Sequence, residues 1–251
     1  MVTPLTVMRN IALTIAYDGT NYHGWQYQPN GITVEQVVRR AVETILDHEA
    51  KIYAAGRTDA GVHAQGQVVN FFTEKPIDLS NLARGLNSML PEDIRVRGAS
   101  EADPSFHARY SAHNKTYVYR VLNSLYDSPF YTRYVWHVPR ALDVEEMDKA
   151  MKLIRGEHDF SAFKKKDEVY HSSVRNVMGA RVKKKGNLIY FVIEATGFLR
   201  YMVRNIVGTC MLIGLGKITG EDFRDILESR DREQAGPTAP AKGLCLQRIS
   251  Y

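Results

Sequence analysis

VRNVMGARVKKKGNLIYFVIEA, residues 174–195, reads as two strands folded back on each other. Val174–Val182 and Leu188–Ala195 are strand-like, and the lysine-rich stretch between them closes on Gly186-Asn187, a hairpin signal. Outward from this hairpin the period of the pattern changes. On its C-terminal side Leu199–Leu215 reads as a helix, and a last strand, Leu244–Tyr251, follows the proline-rich loop GPTAPAKG. On its N-terminal side Asp143 and Glu146 cap a helix that carries Val144, Met147, Met151 and Ile154, and Lys115–Leu122 alternates as a strand. The order is β-α-β-β-α-β.

The first half of the chain repeats it. Asn10–Tyr17 is a strand ending in the turn Asp18-Gly19. Thr33 and Gln36 open a helix whose apolar positions, from Val34 to Leu46, recur at helical spacing. Lys51–Ala54 and Gln67–Thr73 are strands, Leu79–Met89 a helix and Ile94–Ala99 a strand. The repetition predicts an α+β fold of two pseudo-twofold-related split β-α-β halves, residues 1–110 and 111–251. They would form a mixed, mostly antiparallel sheet flanked by helices, with the active-site cleft between the halves.

Composition narrows the class. Of 251 residues 44% are hydrophobic and 24% charged, an ordinary globular balance, and 33 Lys+Arg against 28 Asp+Glu leave a net charge of +5 that favours a polyanionic partner. Two distant cysteines, Cys210 and Cys245, argue against a disulfide framework or a cysteine-built zinc site and fit a reducing cytoplasm. The beginning of the chain shows no basic leader followed by an apolar run, and the most apolar segment, Tyr201 to Ile218, is too short and too charged to span a bilayer.

The chemistry concentrates between the strands of the first half, in AAGRTDAGVHAQGQVVNFF, residues 54–72. Asp59 is the lone acid between Ala50 and Thr73, Arg57 lies two positions before it, and Gly56 and Gly61 bracket both. Elsewhere such a pair would be an ordinary ion pair in a surface turn. No second carboxylate lies near Asp59 in sequence for glycoside hydrolysis, and His63 with one aspartate makes a poor metal set. The phosphate-loop and dinucleotide fingerprints are absent. What fits is a nucleophilic or general-base carboxylate kept ionised by arginine.

GRTDAGVHA, residues 56–64, resembles the signature of the TruA-type tRNA pseudouridine synthases, the tRNA pseudouridine synthase I family. The likeness runs along nearly the whole chain, through YDGTNYHGWQ (17–26), FHARYSA (106–112), NKTYVYRV (114–121), GEHDFSAF (156–163), RNVMGARV (175–182), MVRNIVG (202–208) and TAPAKGL (238–244).

The resemblance implies an isomerase that breaks the N1–C1′ bond of a uridine, turns the uracil and rejoins it through C5, without cofactor or metal. Its targets would be uridines 38, 39 and 40 in the anticodon stem-loop of tRNA, and it would work as a cytoplasmic homodimer. Asp59 would be the catalytic carboxylate, acting on the sugar or the base, or by abstracting a sugar proton to give a glycal. Arg204 would be its cation, placed off an apolar helix stripe with Gly208 leaving room beside it. Tyr117 would stack on the target base, with its hydroxyl near C5. Arg57 would brace the space left by the flipped nucleotide or contact a phosphate. Lys183, Lys184, Lys185 and Arg109, with Arg84, Arg200 and Lys164–Lys166, are candidate phosphate contacts, although basic runs are commonly solvated turns. His158 and Asp159 carry no assigned role. The rival readings are a non-catalytic tRNA-binding or RNA-chaperone module, and the same chemistry on another structured RNA.

Overall fold

A computed structural model describes residues 8–251; the part of the leader reading that concerns residues 1–7 lies outside them. The described residues hold ten strands and five α-helices, the α+β class expected, in two compact units. One unit takes the chain up to His113 together with Leu246–Tyr251, and the other takes Asn114–Cys245.

The first unit contains β1 (Arg9–Tyr17), α1 (Val34–Leu46), β2 (Tyr53–Ala54), β3 (His63–Thr73), α2 (Leu79–Met89) and β4 (Ile94–Ala102), in the order β-α-β-β-α-β. β1 pairs antiparallel with β3 and β4, and β2 pairs antiparallel with β3. Ile11, Leu13 and Ile15 alternate inward along β1 and are fully buried, as half-buried strands do. Thr33 caps α1 by accepting from the Gln36 amide, and Val34, Val38 and Val42 turn its apolar face inward. β3 begins four residues before the expected Gln67. Its first four residues, His63-Ala64-Gln65-Gly66, have no strand-like composition. Gly66 lies flush against the last segment of the unit: a Cβ there would come within 2.8 Å of the Gln247 carbonyl oxygen. Close backbone approach, not propensity, extends the strand. β2 is shorter than expected, two residues instead of four.

The second unit contains β5 (Asn114–Leu122), β6 (Trp136–His137), α3 (Val144–Lys152), β7 (Gly156–Asp159), β8 (Val174–Lys185), β9 (Leu188–Ala195), α4 (Met202–Gly214), α5 (Gly220–Ser229) and, straddling the two units, β10 (Leu244–Ser250). The strand order β5-β9-β8 repeats the order β1-β3-β2 of the first unit, all antiparallel; β7 adds to β8, and β6 lies parallel to β5. Asp143 caps α3 on the Glu146 amide at 3.0 Å, as expected. Asp148 of the same helix accepts from the Val182 amide at 2.7 Å and pairs with Lys152 at 2.8 Å, which ties α3 to β8. The lysine run falls differently from the expectation: Lys183–Lys185 extend strand β8 and only Gly186 and Asn187 turn. α4 starts at Met202, later than Leu199, because Tyr201 takes a left-handed φ of 67° that ordinary helix excludes. β6, β7 and α5 were not anticipated, although Thr219 and Asp222 form a reciprocal capping box ahead of buried Phe223, Ile226 and Leu227.

Candidate active site

The 55–62 loop is fixed mainly through its backbone. After β2, the Ala55 amide bonds the Val68 carbonyl at 2.9 Å, and the Gly56 carbonyl accepts from Gln67 Nε2 at 2.7 Å. Thr58 then turns inward. It is buried, its hydroxyl lies 2.8 Å from the Tyr17 hydroxyl, and its carbonyl accepts from the Trp25 amide at 3.1 Å. The Gly61 amide reaches the Tyr22 carbonyl, and the Val62 amide closes back on the Asp59 carbonyl. Three glycines make this approach possible. Gly24, at φ 87°, would place a Cβ 2.6 Å from the Thr58 oxygen; one at Gly19 would fall 2.0 Å from the Val62 oxygen; Gly61 has φ 76°. The stretch YDGTNYHGW thus forms a seat for the loop.

On that seat Thr58 separates two side chains. Asp59 is half-buried and Arg57 exposed. Arg57 makes no ion pair among the described residues, so the surface-turn pair of Arg57 with Asp59 does not form. His63 is buried at the start of β3, with Nδ1 3.0 Å from both the Gly19 amide nitrogen and Asp18 Oδ1. It buttresses the Gly19 turn. Among the described residues no three His, Cys, Asp or Glu side chains gather as a metal set.

In the second unit Tyr117 sits on β5 and is buried, with its ring edge-on to Phe198 at 4.9 Å. Two residues on, the Tyr119 hydroxyl donates to the Pro240 carbonyl at 2.7 Å. Burial drives its pKa well above the ordinary tyrosine value, and Arg204 pulls the other way. Arg204, half-buried in the first turn of α4, is gripped by one residue of the 236–240 loop. Its Nε donates to the Ala239 carbonyl at 2.8 Å, and its own carbonyl accepts from the Ala239 amide at 3.1 Å. Its guanidinium carbon also lies 4.8 Å from the centre of the Tyr201 ring.

Asn205 secures the same loop from beneath. It is fully buried, donates to the Phe163 and Lys164 carbonyls, and accepts from Thr238 Oγ1 at 2.6 Å and Arg232 at 3.2 Å. Gly208 departs from its expected purpose. A Cβ there would sit 1.7 Å from the Pro237 carbonyl oxygen, so the missing side chain admits the 236–239 backbone and leaves no room beside Arg204.

Of the expected site residues, Arg57, Asp59 and Arg109 lie in the first unit and Tyr117, Lys183, Lys184, Lys185 and Arg204 in the second. Arg109 is exposed, its guanidinium carbon 5.6 Å from the Tyr110 ring centre, on a turn anchored where the Ala108 amide donates to buried Asn70 at 2.9 Å. Arg84 is exposed on α2 and bonds Asn81; Arg200 is exposed beside the Tyr201 ring. Lys164 and Lys165 are half-buried, and Lys166 pairs with Glu233 at 2.8 Å. His158 contacts the Arg155 carbonyl, while Asp159 accepts from the Ser161 amide and pairs with Arg230, which gives both a role in ordering the turn.

Thr58 and Asn205 are the positioning residues that sequence reasoning missed. Asn205 left a signal, an amide inside an otherwise apolar helical run; Thr58 left none.

Comparison with known proteins places these features in one family. Residues 13–111 and 150–251 match the family described as tRNA pseudouridine synthase. The chain is 47% identical over 244 residues to tRNA pseudouridine synthase A of Thermoanaerobacter sp. (strain X514), covering 97% of this chain and 100% of that one. To the proteins of the same name from Clostridium kluyveri and Moorella thermoacetica it is 45% identical, over 97% and 96% of this chain and 100% and 99% of theirs. Among solved structures it matches the archaeal box H/ACA sRNP Nop10-Cbf5 complex at 14% identity and a TM-score of 0.37, over 89% of this chain and 59% of that chain.

Proposed function

The chain belongs to the tRNA pseudouridine synthase family, an isomerase family, and from that premise we propose that it converts uridines 38, 39 and 40 of the tRNA anticodon stem-loop to pseudouridine. Asp59 supplies the carboxylate on which the isomerisation turns. The N1–C1′ bond breaks, the uracil rotates and C5 takes the place of N1 on C1′, with the C5 proton lost at the end. Nothing is oxidised and no group leaves the nucleotide.

The observation that carries this reading is the seat of the 55–62 loop. Backbone bonds and glycines hold Asp59 half-buried at the tip of a loop whose architecture rests on main chain. Pre-positioning of this kind is what a reacting group requires.

The other roles follow the resemblance residue by residue. Arg204 keeps the carboxylate ionised, a role that the two-sided grip of Ala239 supports by holding its guanidinium in a fixed place. Tyr117 stacks on the target base and offers its hydroxyl toward C5. Arg57, exposed, occupies the space the flipped nucleotide leaves or meets a phosphate. Arg109, Lys183, Lys184 and Lys185 contact phosphates. The enzyme acts as a homodimer in the cytoplasm. Among the described residues no helix is long and apolar enough to cross a membrane.

The decisive experiment pairs tritium release from C5-labelled tRNA uridine with filter binding. Asp59→Asn should abolish release and keep tRNA affinity within about twofold, since size and most hydrogen bonding survive. Arg204→Ala should slow release less completely, because it lets the carboxylate pKa rise instead of deleting the group. Release by Asp59→Asn at the wild-type rate overturns the assignment. Labelling tRNA in which positions 38–40 are cytidine tests the target: continued release from such tRNA would move it elsewhere.

A further inference from the structure

The sheet of the second unit presents charge and rings that the Asp59 chemistry leaves unused. Pairing of β5, β9 and β8 sets Arg120, Tyr190 and Lys183 in one cross-strand row. Along β8, Arg181 and Lys185 stand on either side of Lys183 on the same face, because strand side chains alternate. The next row, Tyr119, Phe191 and Val182, points the other way and is buried. Alternation also divides the lysine run: Lys183 and Lys185 join this face and Lys184 does not. Arg181, Lys183 and Lys185 are exposed, Arg120 and Tyr190 half-buried, and none of the four cations makes an ion pair among the described residues. The acids nearest are Asp148 of α3, which bonds the Val182 amide and pairs with Lys152, then Glu194, further along β9, and Asp127.

At the Lys185 end the rows run into a groove of about 630 Å³. Leu122, Leu188 and Lys185 belong to the sheet, and Leu125, Tyr126 and Tyr131 come from the loop between β5 and β6. Tyr126 is 80% exposed and Leu125 70%, unusual for side chains of their size on one short loop.

We propose that this face and its groove bind RNA, with Arg120, Arg181, Lys183 and Lys185 meeting phosphates while Tyr126 and Tyr131 stack on bases, a proposal that rests on the RNA substrate named above. Four unpaired cations along one face suit a polyanion. Exposed rings beside them suit bases, every one of which offers a π-face. A second copy of this chain fits worse: a twofold contact would set the same basic patch against itself.

The test uses the full chain and an unmodified tRNA transcript, with 4-thiouridine in place of uridine for photocrosslinking. Crosslinks are expected in peptides spanning residues 124–131 and at Tyr190. Tyr126→Ala with Tyr131→Ala should weaken tRNA binding by at least about 5- to 150-fold, the range that loss of one stacked base gives. Glutamine at the four cations should lower the slope of log affinity against log salt by about 0.7–0.9 for each phosphate no longer neutralised. All the substituted side chains but Arg120 lie at the exposed surface or the groove rim, and an unchanged melting temperature verifies that the fold survives. Wild-type tritium release combined with unaltered affinity in both variants, and no crosslink on this face, overturns the face and leaves the enzymatic reading intact. Absence of release by the wild type defeats the enzymatic reading, and the crosslinks still decide the face. Variants that lose self-association at unchanged tRNA affinity would assign the surface to a second copy and refute RNA there.

Discussion

In the first unit the segment carrying Asp59 lies on a seat of glycines and backbone bonds, whereas in the second Arg204 rides on a buried helix and is gripped by the backbone of a separate loop. Each charged side chain is thereby positioned through main chain, but the failure modes differ. A loop seat tolerates no Cβ because the backbone itself is left-handed or in contact. A helix tolerates alanine well by propensity and fails only where another segment presses on it. The comparison teaches that one residue type, glycine, performs two distinct jobs, conformational freedom at Gly24 and closeness alone at Gly208.

The largest effect should separate these jobs. Gly24→Ala meets both the φ of 87° and a backbone oxygen 2.6 Å away, and should cost about 3 kcal/mol or more. Gly208→Ala keeps an ordinary helical φ and gains about 1 kcal/mol of helix propensity, but its Cβ would fall 1.7 Å from the Pro237 carbonyl oxygen. Only a shift of the loop backbone relieves that overlap, so its cost should also reach about 3 kcal/mol, all of it from contact. Its turnover should fall as well, because displacing residues 237–239 loosens Ala239 from Arg204. Urea melts together with tritium-release rates check both; a Gly208→Ala chain of wild-type stability and turnover would remove the role of closeness there.

Next come the side-chain anchors. Asn205→Ala leaves two carbonyls, Thr238 and Arg232 without their amide partner and should cost about 3 kcal/mol. Thr58→Val keeps the shape and removes a single hydroxyl contact to Tyr17, which should cost about 1 kcal/mol. If Thr58→Val proves the costlier, the first unit's loop depends on side chains more than its backbone bonds suggest.

The smallest effect concerns acid. Burial raises the Asp148 carboxyl pKa, but the Lys152 ammonium and the Val182 amide outweigh it, and the folded value lies below the ordinary one. A depressed folded pKa contributes stability above the unfolded pKa, and that stability is lost as pH falls through the folded one. Asp148→Asn should therefore cost under about 1 kcal/mol at neutral pH, screened by solvent, and progressively less below the unfolded carboxylate range. Thermal melts from pH 7 to pH 3 would show the two curves converging; a constant gap would place the effect in packing.

Periodicity made the repeated β-α-β-β-α-β order legible, because half-buried strands and one-faced helices write their burial into the spacing of apolar residues: Ile11, Leu13 and Ile15 on β1 did so, and Val34, Val38 and Val42 on α1. What spacing does not encode is contact between distant backbone segments. Hence the early start of β3 at His63, which Gly66 allows, and the true reason for Gly208 were hidden. The lysines of β8 misled because charge resembles a turn, while the strand continues through them by pairing with β9. At the site the motif singled out Asp59, Arg57, Tyr117 and Arg204, but Thr58 reads as one more turn residue. Only its burial against Tyr17 shows what it does.

The C-terminal segment divides its allegiance, with Leu244 and Cys245 in the second unit and Leu246–Tyr251 in the first. The terminal segment is integral to the first unit: the His113 amide bonds the Ser250 carbonyl at 2.9 Å, the Tyr251 hydroxyl bonds the Ala108 carbonyl at 2.9 Å, and the Phe106 and Tyr251 rings meet at 4.9 Å. During synthesis this imposes a wait. The ribosome delivers everything up to His113 and then the roughly 130 residues of the other unit, about 7–26 s at ordinary elongation rates, before the missing strand arrives. Through that interval the nascent first unit holds its sheet without its closing strand. The chain that will carry Asp59 is therefore completed last, although it is translated first.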